Sequence, residues 1–524
     1  MNIVIPCVLL IFVIGCVYNA SLVLVLVGVP MLFLSVFACK YLLYYVKEMI
    51  IKDQRPPIAG PILNQVLHFD KLFDYHTLVA QKYRTFRLLA PSRSEIFTAD
   101  PVNVEYFLKT NFSNYDKGGS NREIMRDLIG DGIFAADGPK WRHQRKLASY
   151  EFSTKVLGDS SSAVFRATAA KVASKIAVAA TTVQSINLQD IMMKSTLDTI
   201  FKLGFGVDLN SLSGSDNLGN QFCKAFDEAN FIVFWRFIDM FWRVKRFLNI
   251  GTEASLKKNI KIIDGCVYEL IRHKRRQMES GESDGGKTDL LSRFMLESKK
   301  DPENITDRYL RDITLSFVIA GKDTTANALT WFFYMLCKYP LVQEQVALEV
   351  RKVTSAAAGF TSTDDFAQLV TEEALDSMHY LHAALSETLR LYPSVPMDGK
   401  CAVEDDVLPD GFKVKKGDTI SYLTYAMGRM TYLWGEDAKE FRPERWLDNG
   451  IFKPESPFKF AAFQAGPRIC LGRDFAYKQM KTFAAVLLNF FSFKLVDETK
   501  EASYRPMLTL YMDQGLHLYA SPRL

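Results

Sequence analysis

Phe463-Gln464-Ala465-Gly466-Pro467-Arg468-Ile469-Cys470-Leu471-Gly472, with the helix-like stretch Arg473 to Phe491 behind it, decides how this 524-residue chain is read. A cysteine just ahead of a helix sits beside the positive end of the helix dipole and its free amides, which favour thiolate over thiol. Cys470 is therefore a candidate metal ligand. Gly466 and Gly472 let the backbone come close to a flat cofactor and to the next helix, and Arg468 carries the planar fork of donors that holds a carboxylate. The other cysteines, at positions 7, 16, 39, 223, 266, 337 and 401, contain no C-x-x-C pair. Neither a zinc framework nor a disulfide scaffold fits, and each of the seven reads as a small buried hydrophobe.

Upstream, Thr306 to Cys337 reads as one long helix, amphipathic and then fully apolar, capped by Thr306 or Asp307. Inside it lies Ala320-Gly321-Lys322-Asp323-Thr324-Thr325. A glycine and consecutive threonines weaken mid-helix packing, and a Thr hydroxyl that bonds back to a preceding carbonyl opens a groove, so the defect points to function. Ser386-Glu387-Thr388-Leu389-Arg390 sets Glu387 and Arg390 on one helix face, as a solvated surface pair also would. Trp141-Arg142-His143-Gln144-Arg145 sets an aromatic and a guanidinium one turn apart, a spacing shared by a core Trp beside a surface Arg.

The cysteine loop resembles that of the cytochrome P-450 monooxygenases, F-x-x-G-x-R-x-C-x-G, and matches all five fixed positions. The resemblance implies a mainly α fold with small β-sheets. Haem b would lie between the Thr306–Cys337 helix and the cysteine loop, with Cys470 as axial thiolate on its iron, a ligand that favours O–O cleavage. Phe463, Gly466, Arg468, Gly472, Trp141, Arg145, Ala320 and Gly321 would contact the cofactor. The family's A/G-G-x-D/E-T-T/S motif would make Thr324 the partner of bound dioxygen and Asp323 the proton relay. Glu387 and Arg390 would join Arg445, of Pro443-Glu444-Arg445-Trp446, in a buried structural network. Pocket walls are implied near Phe317, Val395, Met397 and Leu508. Phe332 to Lys338 and Ala461 to Arg468 are similar to the plant fatty-acid ω-hydroxylase branch, which implies terminal hydroxylation of long acyl chains with O2 and electrons from NADPH through a reductase. Monooxygenation of a terpenoid or sterol, and a haem protein that oxygenates nothing, stand as alternatives.

Composition agrees with a large folded enzyme: 48% of residues are hydrophobic and 23% charged, which excludes disorder. The net charge of +5 is too small over this length to announce nucleic-acid binding. From Ile3 to Cys39 no side chain is charged. As a helix this run is about 55 Å long against a hydrocarbon core of roughly 30 Å, so it predicts one anchor with an interfacial part, or a hairpin turning near Asn19 to Ser21. No basic residue precedes the run, which disfavours a cleaved signal peptide. Lys40, Lys47, Lys52 and Arg55 follow it and predict a body held on the cytosolic side of the endoplasmic reticulum membrane. The expected organisation is an anchor over 1–46, a basic, proline-rich hinge or loop over 47–61 and a catalytic domain over 62–524. Within that domain helical periodicity dominates from about residue 120 to 392. Strand-like patches cover Phe86 to Phe97, Gly411 to Tyr422, Ser492 to Val496 and Pro506 to Tyr519. Gly281 to Lys287 and Ser355 to Asp365 read as surface loops. Phe226 to Trp242 is an aromatic-rich segment placed by the resemblance over the substrate channel. Lys140, Arg142, Lys146, Arg473 and Lys478 suggest a basic rim for an acidic electron donor, or a merely solvated face.

Overall fold

The computed structural model describes residues 28–50, 54–90, 94–152, 159–213, 217–280, 289–355 and 362–523. The helices that build the site are labelled in chain order: α1 Val29–Ile50, α2 Leu63–Leu67, α3 Gly119–Ile129, α4 Gly138–Glu151, α5 Leu188–Phe205, α6 Asn217–Trp235, α7 Thr252–Glu279, α8 Asp307–Val318, α9 Thr324–Lys338, α10 His379–Leu391 and α11 Arg473–Phe490. One six-stranded sheet packs beside them, formed by β1 Ile58–Pro61, β2 Thr85–Leu89, β3 Ser94–Thr98, β4 Tyr115–Asp116, β5 Asp398–Ala402 and β6 Thr419–Tyr422. Its spatial order is β1-β2-β3-β6-β5-β4. β2 and β3 pair antiparallel and β6 runs parallel to β3. Phe97, Ser421 and Gly399 therefore stand in one row across three strands.

Thr306 caps α8 by accepting from the Tyr309 N–H at 3.3 Å, as the sequence leads one to expect. The long helix is not regular: Ile319–Asp323 forms a π-helical turn between α8 and α9. The break coincides with a change of core. Leu310, Ile313 and Phe317 of α8 pack into a cluster with α5, α6 and α7, whereas Trp331, Phe332 and Phe333 of α9 pack into another with α10 and α11. A helix whose halves face two cores has its irregular turn at the seam, and there the main cavity opens.

Three expectations change. Thr363–Leu369 is helical, capped by the Ser362 hydroxyl, so the loop predicted over Ser355 to Asp365 ends earlier. The aromatic-rich segment Phe226 to Trp242, whose pattern also suits a helical core face, is split: α6 stops at Trp235, and Trp242 opens the short helix Trp242–Leu248. The proline-rich stretch is built into the body, because Ile58–Pro61 is the edge strand β1 and buried Arg55 pairs with Glu48 and Asp418. Most of the predicted anchor lies in residues 1–27, outside the described residues. Its remainder begins α1, and among the described residues no helix is long and apolar enough to cross a membrane. Lys40, Lys47 and Glu48 interrupt the apolar character of α1. Glu48 ties it to Arg87 of β2, and the Tyr41 hydroxyl donates to the Leu89 carbonyl at 2.8 Å.

Candidate active site

Cys470 lies three residues ahead of Arg473, the first residue of α11. Its N–H donates to the Phe463 carbonyl at 2.8 Å, which closes the loop, and Gly472 starts the helix by accepting from the Ala476 N–H at 2.8 Å. The Sγ opens on a cavity of about 350 Å3. Burial pushes the thiol up from its ordinary value; the Gly472 N–H, Arg145 and Arg473 oppose that shift. Of the two loop glycines, Gly472 lines the cavity beside Cys470 and Gly466 does not. Gly466 has φ of +66°, and a Cβ there would fall on the Leu108 carbonyl oxygen, so this glycine admits a neighbouring backbone. A Cβ on Gly472 would meet the Phe152 ring at 3.5 Å.

The opposite wall is the π-turn. Thr324 donates its hydroxyl back to the Ala320 carbonyl at 2.5 Å, the groove-opening bond anticipated from sequence. Ala320, Gly321 and Thr324 all line the cavity. A side chain at Gly321 would stand 2.8 Å from Ile200, so the glycine lets α5 press against the turn. Asp323 is held behind this wall, buried, with one carboxylate oxygen accepting from Lys322 at 2.6 Å and the other from Asn230 of α6 at 2.9 Å. Lys322 also donates to Asp227 at 2.6 Å. Desolvation raises the Asp323 carboxyl while Lys322 pulls it down, and its two neighbouring carboxylates hold the Lys322 ammonium well above its ordinary range despite full burial.

Beside Cys470 the cavity is rimmed by cations. Trp141 and Arg145 of α4 both line it. The Arg468 guanidinium stands 4.4 Å from the centre of the Trp141 ring and that of Arg145 at 5.8 Å. Arg145 donates to the Ile469 carbonyl at 2.7 Å; Arg468 donates to the Ala136 carbonyl and to Asp137 at 2.5 Å. Lys117 completes the rim, paired with Asp398 at 2.8 Å, while Lys400 of β5 is fully buried near Lys117 and Arg468, outside the cavity lining. Among the described residues Lys400 Nζ and Arg468 Nε have no hydrogen-bond partner, and burial pushes the Lys400 ammonium far down. The unpartnered Arg468 N–H, next to a cavity-facing thiol and beside Arg145 and Lys117, fits a planar metal cofactor that carries carboxylates of its own. Sequence reasoning overlooks Lys117 and Lys400, because Asp398 and Lys117 are 281 residues apart and neither lysine sits in a motif.

The structural network forms as expected. Glu387 is fully buried and receives Arg390 at 2.7 and 2.8 Å, Arg445 at 3.3 Å and the Trp446 indole N–H at 2.9 Å. Phe317, Val395, Met397 and Leu508 all border the cavity, whose lining is mostly apolar. Of the basic rim, Lys140, Arg473 and Lys478 are engaged by Asp131, Asp474 and Glu372.

A helical fold holding a cysteine loop across from a π-turn, with a cationic rim for the cofactor's carboxylates, defines a haem-thiolate protein. A family model for cytochrome P450 matches residues 54–517, and the chain belongs to that family. It is 54% identical to cytochrome P450 704C1 of Pinus taeda over 92% of this chain and 95% of that one. It is 44% identical to cytochrome P450 704B1 of Arabidopsis thaliana, covering 89% and 94%, and 42% identical to cytochrome P450 86B1 of the same plant, covering 82% and 78%.

Proposed function

We propose that this chain is a membrane-anchored monooxygenase that hydroxylates the terminal region of long-chain fatty acids, with its catalytic body on the cytosolic face of the endoplasmic reticulum. The observation that carries the lipid reading is the cavity itself: apolar along most of its wall, it runs from Cys470 past Phe317, Met397 and Leu508 to the edge of the sheet. Such a lining accepts an acyl chain and offers few partners to a polar substrate. The haem, once bound, supplies dioxygen binding and oxygen insertion into a C–H bond.

The chain's own residues have separate tasks. Cys470 would supply the thiolate ligand to the haem iron, and Trp141, Arg145, Arg468, Lys117 and Lys400 would hold the carboxylates of the cofactor. Thr324 presents its hydroxyl at the cavity wall, and Asp323 supplies protons from behind that wall through the π-turn. The apolar walls exclude water from the reacting carbon. Residues 1–46 fasten the body to the bilayer, and the exposed Phe247, Leu248 and Ile250 add an apolar patch for the lipid surface. An NADPH-dependent reductase docks on the basic rim around Arg142 and Lys146.

The reading is tested by reconstituting the full chain with a plant reductase and NADPH and offering acids of sixteen and eighteen carbons, a diterpene and a sterol. Mass spectrometry should find ω-hydroxy acids. Oxygenation of only the terpenoid or sterol would replace the substrate class, and consumption of NADPH with no organic product from any of them would remove the monooxygenase reading.

A further inference from the structure

Helix α2 inverts the usual pattern of burial. It exposes Leu63 by 44% and Leu67 by 72%, while Gln65 between them is only 4% exposed. Short surface helices bury their leucines and solvate their amides, so this one is built to turn a polar group inward. Gln65 lines the same continuous cavity as Cys470, and its side-chain amide nitrogen has no hydrogen-bond partner among the described residues. A buried donor without an acceptor is costly, and a protein retains one where something else completes it.

The sheet gives the distance. α2 leaves the end of β1, and the Ile62 N–H is bonded to the Leu89 carbonyl at the end of β2. From there the cavity floor crosses Phe97 on β3 and Ser421 on β6 to Gly399 on β5, beside the cationic rim next to Cys470. That is three to four strand spacings, about 14–19 Å. An extended hydrocarbon advances about 1.25 Å per carbon for bonds near 1.5 Å. A chain of roughly a dozen to fifteen carbons therefore separates Gln65 from the Cys470 end.

We propose that Gln65 is the head-group anchor of the substrate, its amide N–H donating to a carboxyl or ester oxygen while the far end of a chain of about sixteen carbons reaches the Cys470 end of the cavity. This rests on the lipid reading of the cavity and adds to it a fixed end and a length. The exposed Leu63 and Leu67 form the outer side of the same short helix, so a lipid passing that lip meets the amide as its head group follows its tail.

The test is spectral titration of the ferric full-length protein, read as the Soret shift on ligand binding, with palmitic acid, methyl palmitate and hexadecane. Gln65→Leu removes the amide, and Gln65→Glu keeps its size while removing the donor. Loss of one hydrogen bond should raise the Kd of palmitic acid and its ester about tenfold in Gln65→Leu, with hexadecane unchanged or tighter. Gln65→Glu should lose the acid at least as severely. Both variants should keep the wild-type carbon-monoxide difference band, since Gln65 lies across the sheet from Cys470. Hydroxylation by Gln65→Leu should spread inward from the terminal carbon as the chain loses its stop. An unchanged ratio of palmitic acid to hexadecane affinity in both variants overturns the anchor and leaves the lipid reading standing. A wild-type protein that binds none of the three ligands overturns both.

Discussion

At the scale of single residues the site is decided by groups that have no substitute. Cys470→Ser leaves the loop geometry, held by the Phe463 carbonyl and Gly472, but removes the sulfur. The purified variant should lose the carbon-monoxide difference band of thiolate-ligated haem and all oxygenation. Lys400 is a different case, because its ammonium is buried without a partner. Replacing it by methionine relieves that burial in the protein without cofactor and removes a donor from the protein with it. Lys400→Met should therefore be as stable as wild type, or more so, before haem is added, yet retain less haem per chain after gel filtration. Equal haem content would remove Lys400 from the cofactor's partners. Gly466 offers the cleanest test of backbone geometry. A side chain there must adopt a left-handed φ of +66° and displace the Leu108 carbonyl. Gly466→Ala should cost more than the ~1–3 kcal/mol of backbone strain alone, measured by denaturant unfolding.

At the scale of elements, α10 is tied to the segment around Arg445 chiefly through the Glu387 carboxylate, with Tyr380 donating to Glu444 and Arg390 to the Glu440 carbonyl beside it. Glu387 is fully buried and satisfied by two guanidinium groups and an indole. Deleting one partner strands the others, so Glu387→Ala and Arg390→Ala should each lose about 3–5 kcal/mol, while the double variant loses much less than their sum. Additive losses would mean that the two residues act separately. The same network shows what a sequence can disclose. The i, i+3 spacing of Glu387 and Arg390 requires only one helix and is legible, as is the thiol-before-helix order at Cys470. The π-turn is half legible: Gly321 and Thr324 announce a weak point, but its position depends on α8 and α9 joining different cores. Lys117, Lys400 and Gln65 are invisible because each matters through what it faces. Lys117 meets Asp398 only after β4 and β5 come together in the sheet. The role expected of Asp323 shows the reverse. Its place in the motif is legible, but the grip of Asn230 and Asp227 on it and on Lys322 comes from α6, almost a hundred residues upstream.

For the whole molecule, acid stability reports on two imidazoles outside the site, His76 buried and His382 half-buried. His76 of the helix Leu72–Lys82 is packed against Phe97, with ring centres 4.9 Å apart, and among the described residues neither ring nitrogen has a partner. His382 of α10 lies between Phe452 at 4.0 Å and Tyr477 at 4.1 Å, with Lys481, His379 and Arg473 as the cations that face it. Desolvation lowers both to about 3, helped at His382 by those cations. In the unfolded chain each titrates near 6.5. Between these values the unfolded state binds more protons than the folded one, so stability falls as pH drops from about 6.5 towards 3 and is fully retained above 6.5. Each histidine contributes a slope of about 1.4 kcal/mol per pH unit across that window. His76→Phe fits the aromatic cluster and removes one proton-binding group. Urea unfolding from pH 7.5 to 5 should show the variant losing less stability than wild type below pH 6.5, with the two curves parallel above it. Curves that stay parallel down to pH 5 would mean that His76 finds a protonated form the fold accepts.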